Sequence, residues 1–496
     1  MGPGLRRDDD WVGENFVNKV VLVSIATAAL AAAAPAAATD CAALSGVALT
    51  RAEVTAAGIV PANTAPLPLP VEICRVAVTA RPSADSDVRL ELWIPQGAAW
   101  NGKFVQVGNG GFAGKIPYRT MALALRGGYA VAGTDTGHQT PGDDIDTKWA
   151  LGHPEKLVDF GWRSIKTTTD AAKALLGAYA GIAPKKAYFF GCSDGGREAL
   201  MTAQRYPADF DAIVAGAPAY DWTALMATAG LIGKTVAAPE RALPPAKLPA
   251  LQAAALAACG KGGQWIADPQ ACRFDPVVIA CKGAETDQCL TPGQVATVRI
   301  VYRGTIDPAT KQSLPGLRPG AEAQPGAWGA WSVGAGAKGD AAGFADSYFG
   351  NIVRQKPGFK LAGLTTADLA ASRRDHAATL NATSPDLSAF RARGGRLIQY
   401  HGWNDPAISP EFSLRYAAAL HATLGDTRDF YRLYMVPGML HCTGGASPTG
   451  INWLKLLDDW SAGGTAPETI VAAAADGRTQ QVSPQALPVG RRAMSR

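Results

Sequence analysis

The segment Gly191-Cys192-Ser193-Asp194-Gly195 constrains this 496-residue chain more than any other. It matches G-x-S-x-G and stands between an apolar run, Ala187 to Phe190, and a helical pattern, Arg197 to Tyr206. A serine presented on so sharp a strand-to-helix turn holds a strained backbone, so small residues are required on both sides. Gly191, Gly195 and Gly196 supply them. A chain with 55 glycines can match the pattern by chance, and it is the strand before it and the helix after it that make the match informative.

The surrounding pattern agrees. Short apolar runs at Leu90 to Ile94, Lys103 to Val107, Tyr129 to Ala132, Ala187 to Phe190 and Ala212 to Ala215 read as buried strands, with helical patterns such as Ser164 to Tyr179 between them. Strands alternating with helices predict an α/β fold with a mostly parallel central sheet covered on both faces. After Trp222 come alanine-rich segments, four closely spaced cysteines and a Gly-rich, Trp-bearing stretch from Gly316 to Gly350, which reads as an insertion. Strand-like runs resume at Arg396 to Tyr400 and Tyr431 to Val436. The expected organisation is a leader over 1–38, a first core part over 39–224, an insertion over 225–390 and a second core part over 391–496.

With 47% apolar and 18% charged residues the chain is globular rather than disordered. Its net charge of +5 is small and scattered, which argues against a nucleic-acid partner. The apolar stretch Val20 to Ala34, followed by Pro35-Ala36-Ala37-Ala38-Thr39, fits a secretory signal cleaved after Ala38 and a secreted or periplasmic product. A membrane anchor is the alternative, but the stretch is short and alanine-rich. Asp8, Asp9, Asp10 and Glu14 do not suit a signal's basic start, so Val17 is a candidate initiator. Eight cysteines in an exported chain suggest disulfides, and none forms the C-x-x-C of a zinc ribbon or thioredoxin-type site.

A serine hydroxyl needs a base, and there are six histidines. In the α/β-hydrolase order of Ser, acid, His, the histidine sits in a loop after a late strand. His441, after Tyr431 to Val436 and Pro437-Gly438, fits best; His421 lies in an apparent helix and His376 in the insertion. His401, at a strand end, reads as a core or supporting residue. The acid should end the preceding strand, which selects Asp405 in Gly402-Trp403-Asn404-Asp405-Pro406, although a loop aspartate before proline is also a common turn former. If Ser193 meets His441, then Cys192 meets Cys442, and a disulfide between them is expected, against the plainer reading of two unrelated buried thiols. Oxyanion donors are expected from the N–H of Asp194 and from Gly110 or Gly111 in the loop after Lys103 to Val107, a loop that could also be merely a tight turn.

Cys-Ser-Asp-Gly-Gly-Arg at 192–197, His-Gly-Trp-Asn-Asp-Pro at 401–406 and Val-Pro-Gly-Met-Leu-His-Cys at 436–442 resemble the tannase and feruloyl esterase family. The resemblance runs from about Cys41 to about Pro467. It implies an α/β-hydrolase core with a lid inserted between the serine and aspartate segments, hydrolysis of small aromatic esters, and the same Ser193, Asp405 and His441. By position it also implies the disulfides Cys41 with Cys74, Cys259 with Cys272 and Cys281 with Cys289.

Two departures stand out. Many relatives carry an aspartate-rich calcium loop between the cysteines matching Cys259 and Cys272, whereas here Asp268 is the sole carboxylate in that segment and Lys261 adds a positive charge. No metal or other cofactor is therefore expected. The late cysteine pair of some relatives is missing as well. Trp328, Trp331, Tyr348 and Phe349 are candidates to stack on an aromatic acyl group or to form the core of the insertion. Rival readings are an extracellular polyester or lipid esterase and a catalytically silent binding protein of the same fold.

Overall fold

The computed structural model describes residues 40–64, 69–140, 144–333 and 340–486. The proposed leader over 1–38 lies outside them, as does the tail from 487.

Nine strands make one sheet: β1 (Ala52–Val60), β2 (Ile73–Ala80), β3 (Val88–Pro95), β4 (Phe104–Val107), β5 (Ala130–Thr134), β6 (Ala187–Cys192), β7 (Ala212–Gly216), β8 (Arg396–Gly402) and β9 (Tyr431–Val436). Their spatial order is β1-β2-β3-β5-β4-β6-β7-β8-β9. The first three pairings are antiparallel and the remaining five parallel. This is the mostly parallel sheet of an α/β-hydrolase.

Parallel strands are buried on both faces and so read as continuous apolar runs. In β4, Phe104 packs into the core on one face, while Val105 and Val107 pack into the core on the other. The one polar residue, Gln106, is satisfied: its Nε2 donates to the Ile165 carbonyl at 3.1 Å and its Oε1 accepts the Thr169 hydroxyl at 2.7 Å. Both partners lie on helix α1 (Ser164–Ala180), so this polar pair ties helix to sheet.

The antiparallel ribbon β1–β2 was not legible in the sequence. Strand β1 lies at the sheet's end and is half-buried or exposed along its length, so its Ala-Gly-rich sequence carries little apolar signal. Helix α2 (Asp194–Arg205) begins directly after Ser193, three residues before the helical pattern predicted from Arg197. The segment between β7 and β8 adds no strand to the main sheet among its described residues. Its earlier half has a small core of its own, including Leu248, Leu251, Val295, Val298 and Trp328. Its later half, with Phe344, Tyr348, Phe349, Leu369 and Leu380, packs into the principal core. No helix among the described residues is long and apolar enough to cross a membrane.

Register fixes where chemistry can occur. Val107 pairs with Phe190, Cys192 with Gly216, Gly216 with Tyr400 and Gly402 with Val436. The carboxyl ends of β4, β6, β7, β8 and β9 therefore lie along one edge. In open α/β sheets this is the edge where ligands bind.

Candidate active site

Ser193 follows the end of β6 with φ 65° and ψ −122°, a conformation costing on the order of 1–3 kcal/mol in an L-residue. Four backbone bonds hold it there. Its N–H donates to the Gly216 carbonyl at 3.0 Å, and its own carbonyl accepts from Gly196, Arg197 and Ala219 at 3.0, 3.1 and 3.1 Å. The glycines are needed for close approach: a Cβ on Gly195 would stand 2.8 Å from the Asn109 carbonyl oxygen, and one on Gly196 2.8 Å from Pro218 Cα.

Ser193 Oγ donates to His441 Nε2 at 2.9 Å, and His441 Nδ1 donates to Asp405 Oδ2 at 2.7 Å. His441 stands in the loop after β9 and Asp405 in the loop after β8, as their order along the chain predicted. Asp405 is buried and accepts four donors. Its Oδ1 takes the N–H groups of Ala407 (2.8 Å) and Ile408 (2.9 Å), and its Oδ2 takes His441 and His401 Nε2, the latter at 3.1 Å. Burial pushes its pKa up, but His441, His401 and these hydrogen bonds outweigh burial and hold the carboxyl well below the usual carboxylate range.

His401, read from sequence as a core or supporting residue, is buried with both ring nitrogens engaged. Nδ1 meets Ser413 Oγ at 2.7 Å, and Nε2 also reaches the Ile408 carbonyl at 3.0 Å. A carbonyl accepts only, so Nε2 carries the proton, and Ser413 donates to Nδ1 while accepting from Gln399 Nε2 at 2.8 Å. Sequence spacing gave no hint of Ser413 or Gln399, because a polar pair buried between strand and helix reads as pattern noise.

All eight cysteines are paired as expected: Cys41–Cys74, Cys192–Cys442, Cys259–Cys272 and Cys281–Cys289. Cys192–Cys442 joins the residue before Ser193 to the residue after His441 across 250 positions. In the chain-entropy description a loop of that length stabilises by roughly 5 kcal/mol. Its more direct effect is to tether the two loops that must meet.

Ser193 and His441 line a cavity of about 440 Å³ whose walls are mainly apolar: Trp222, Leu225, Met226, Trp331, Phe344 and Ile408. Of the four aromatics named from sequence, Trp331 lines it, stacked on Phe344 (centroids 6.0 Å, 11°) and edge-on to His441 (5.5 Å, 64°). Trp328, Tyr348 and Phe349 are buried in cores instead. Trp222, Met226 and Phe344 were missed, since an apolar residue facing a cavity has the same sequence signature as one facing a core. Gly110 and Gly111 also line the cavity; a Cβ on Gly110 would meet nothing within 4 Å, so this glycine borders open space. Gly111, at φ 58°, backs onto the Asp144 side chain.

Residues 74–491 match the family model described as tannase and feruloyl esterase. The chain belongs to the tannase and feruloyl esterase family. It is thus a carboxylic ester hydrolase. It is 39% identical over 450 residues to an uncharacterised esterase of Xanthomonas campestris, covering 81% of this chain and 77% of the relative. It is 31% identical over 427 residues to a probable feruloyl esterase B-2 of Aspergillus terreus, covering 80% and 78%. The crystal structure of feruloyl esterase B from Aspergillus oryzae superposes with a TM-score of 0.82 at 25% identity, over 90% of this chain and 95% of that one.

Between Cys259 and Cys272 the donor set does not fit a calcium ion. Asp268, the sole carboxylate of that segment, accepts the Ala271 N–H at 3.2 Å as a local turn cap. Calcium takes six to eight oxygens, commonly with several carboxylates among them.

Proposed function

We propose that the protein is a secreted serine esterase that hydrolyses esters of aromatic acids through Ser193, His441 and Asp405. The unbroken hydrogen-bond chain from Ser193 Oγ through His441 to Asp405, opening on an apolar cavity, carries this reading. Ser193 Oγ attacks the ester carbonyl as His441 Nε2 takes its proton. The N–H of Asp194 and that of Gly110 or Gly111 hold the oxyanion. As the tetrahedral intermediate collapses, His441 gives its proton to the departing alcohol. Water then attacks the acyl-enzyme with His441 as base, and Asp405 stays ionised throughout. In this reading residues 39–224 and 391–496 are the hydrolase core, and the lid over 225–390 supplies Trp331 and Phe344 to the acyl pocket.

The pocket's lining narrows the substrate. Among the described residues that line it there is no Lys or Arg. Seating an aromatic ring on these walls gains about 3 kcal/mol from roughly 100–150 Å² of apolar burial. A free carboxylate on the same ring loses several kcal/mol of hydration, which no Lys or Arg among the described lining residues offsets. Neutral aromatic esters are therefore favoured over anionic ones, and a pocket of this size favours a single ring over a long acyl chain. In a panel of methyl ferulate, propyl gallate, a terephthalate monoester and a long-chain lipid ester, kcat/KM is expected to be highest for ferulate or gallate. The monoester is expected to fall at least about tenfold below them. Preference for the lipid or the anionic monoester would count against this reading.

No calcium is required in this account, the insertion being held by Cys259–Cys272 and Cys281–Cys289. Exhaustive chelation is expected to leave the melting temperature and ester hydrolysis unchanged. A drop of several degrees that millimolar calcium reverses would show ligands elsewhere in the chain.

A further inference from the structure

Behind the nucleophile, helix α2 buries three ionisable side chains that the mechanism above does not use: Asp194, Arg197 and Glu198. Arg197 Nε donates to Asp194 Oδ1 at 2.6 Å. Its other nitrogens donate to the carbonyls of Gly161 and Phe160 at 2.7 and 3.0 Å. One cation thus faces two carboxyl groups and is committed to the first. Glu198 Oε2 instead accepts the backbone N–H of Asn109 at 3.0 Å.

Asn109 immediately precedes Gly110 and is held by three further hydrogen bonds. Its carbonyl accepts the Gly195 N–H at 2.8 Å, and its side-chain Nδ2 donates to the carbonyls of Lys115 and Thr134 at 2.9 and 2.8 Å. The helix that offers the Asp194 N–H therefore also holds, through Glu198 one turn later, the loop that offers the second oxyanion donor. The approach is tight: a Cβ on Gly108 would stand 2.6 Å from Gly195 Cα and 2.7 Å from Glu198 Oε2.

We propose that Glu198 is a positioning residue that sets the spacing between the two halves of the oxyanion hole, and that it does so as a neutral carboxylic acid. This rests on the assignment of Asp194 and the Gly110–Gly111 loop as oxyanion donors. The donor and acceptor count favours the neutral form. Asn109 Oδ1, Asp194 Oδ2 and Glu198 Oε1 are buried acceptors without a donor among the described residues, and a proton on Glu198 turns an acceptor into a donor. Burial first, then the Asp194 charge, push the Glu198 carboxyl up to about 8, with Arg197 and the Asn109 N–H opposing them.

The other charged groups on elements packed against α2 are otherwise engaged. Asp159 and Arg163, in the turn before α1, pair with each other at 2.6 Å, and on α1 Lys166 pairs with Asp170 at 2.6 Å. Lys173, also on α1, donates to the Asp209 carbonyl, and Tyr188 of β6 donates to Asp458. Ionising Glu198 would place a second negative charge behind the site where the oxyanion forms, with Arg197 already neutralised by Asp194.

The test is kinetics of the full-length enzyme on a neutral aromatic ester, with Ser193→Ala as the control for the underlying reading. Glu198→Ala is expected to lower kcat about 30-fold with KM within about threefold, as when one oxyanion donor is partly displaced. Glu198→Gln keeps the acceptor and the neutral charge, and is expected to recover kcat at pH 7 to within about threefold. Wild type should lose about tenfold in kcat between pH 8 and 9.5, and the Gln variant should not. Full kcat in Glu198→Ala, or an unchanged alkaline fall in Glu198→Gln, overturns the proposal. Turnover that survives Ser193→Ala overturns the esterase mechanism itself, a separate failure.

Discussion

Ser193→Ala and His441→Ala are each expected to lower kcat by at least about 10⁴-fold while the protein remains folded. The size follows from the geometry. Without Oγ there is no atom to form the acyl-enzyme, and without Nε2 at 2.9 Å the hydroxyl keeps its proton and stays a weak nucleophile. Because one proton relay needs both groups, the double variant is expected to be scarcely worse than either single one. Folding should survive, since Ser193 and His441 are bounded by the cavity rather than packed into a core. Steady-state hydrolysis of a neutral aromatic ester, with circular dichroism as the check on folding, measures both. Turnover within a factor of ten of wild type in either variant would refute the triad.

Asp405→Asn is expected to cost about 10³- to 10⁴-fold in kcat. Both oxygens of Asp405 face donors: Ala407 and Ile408 N–H on one, His441 and His401 on the other. Whichever way an asparagine amide is turned, its NH₂ therefore meets two N–H groups. Turned toward His441, it forces Nδ1 to accept, which leaves the proton on Nε2 and removes the base. Turned the other way, it strands the two backbone donors.

A stability effect of known sign accompanies this. A carboxyl held below its ordinary pKa in the folded state contributes stability at neutral pH, and that contribution is lost as pH falls through the ordinary range toward the depressed value. Wild type should therefore lose melting temperature on acidification more steeply than Asp405→Asn. At pH 7 the variant should already be the less stable of the two.

The parts of the structure legible from sequence were those with a local cause. The turn at Ser193 declared itself because only small residues allow its backbone. The parallel strands did so because burial on both faces leaves continuous apolar runs. Chain order then selected Asp405 and His441, and their neighbours Cys192 and Cys442 followed. Elements without such a cause were silent. Strand β1 has its ladder to β2 but only a partly buried apolar face, with Ala52, Val54 and Ala57 against the principal core. The cavity at Ser193 combines Trp222 with Trp331 and Phe344, and nothing in spacing distinguishes these from core residues such as Trp328 and Tyr348. The helix start was read three residues late because Asp194, Gly195 and Gly196 are weak helix formers, placed there by the demands of the turn.

If Ser193 carries the acyl group during turnover, that group can be found bonded to it. The enzyme would be mixed with a chromogenic ester of an aromatic acid, quenched in acid within the first turnover, digested and mapped by mass spectrometry. One acyl adduct is expected, on Ser193 in the peptide that carries Cys192, and none in Ser193→Ala. An adduct on any other residue, or an unmodified Ser193 in enzyme trapped during turnover, would contradict it.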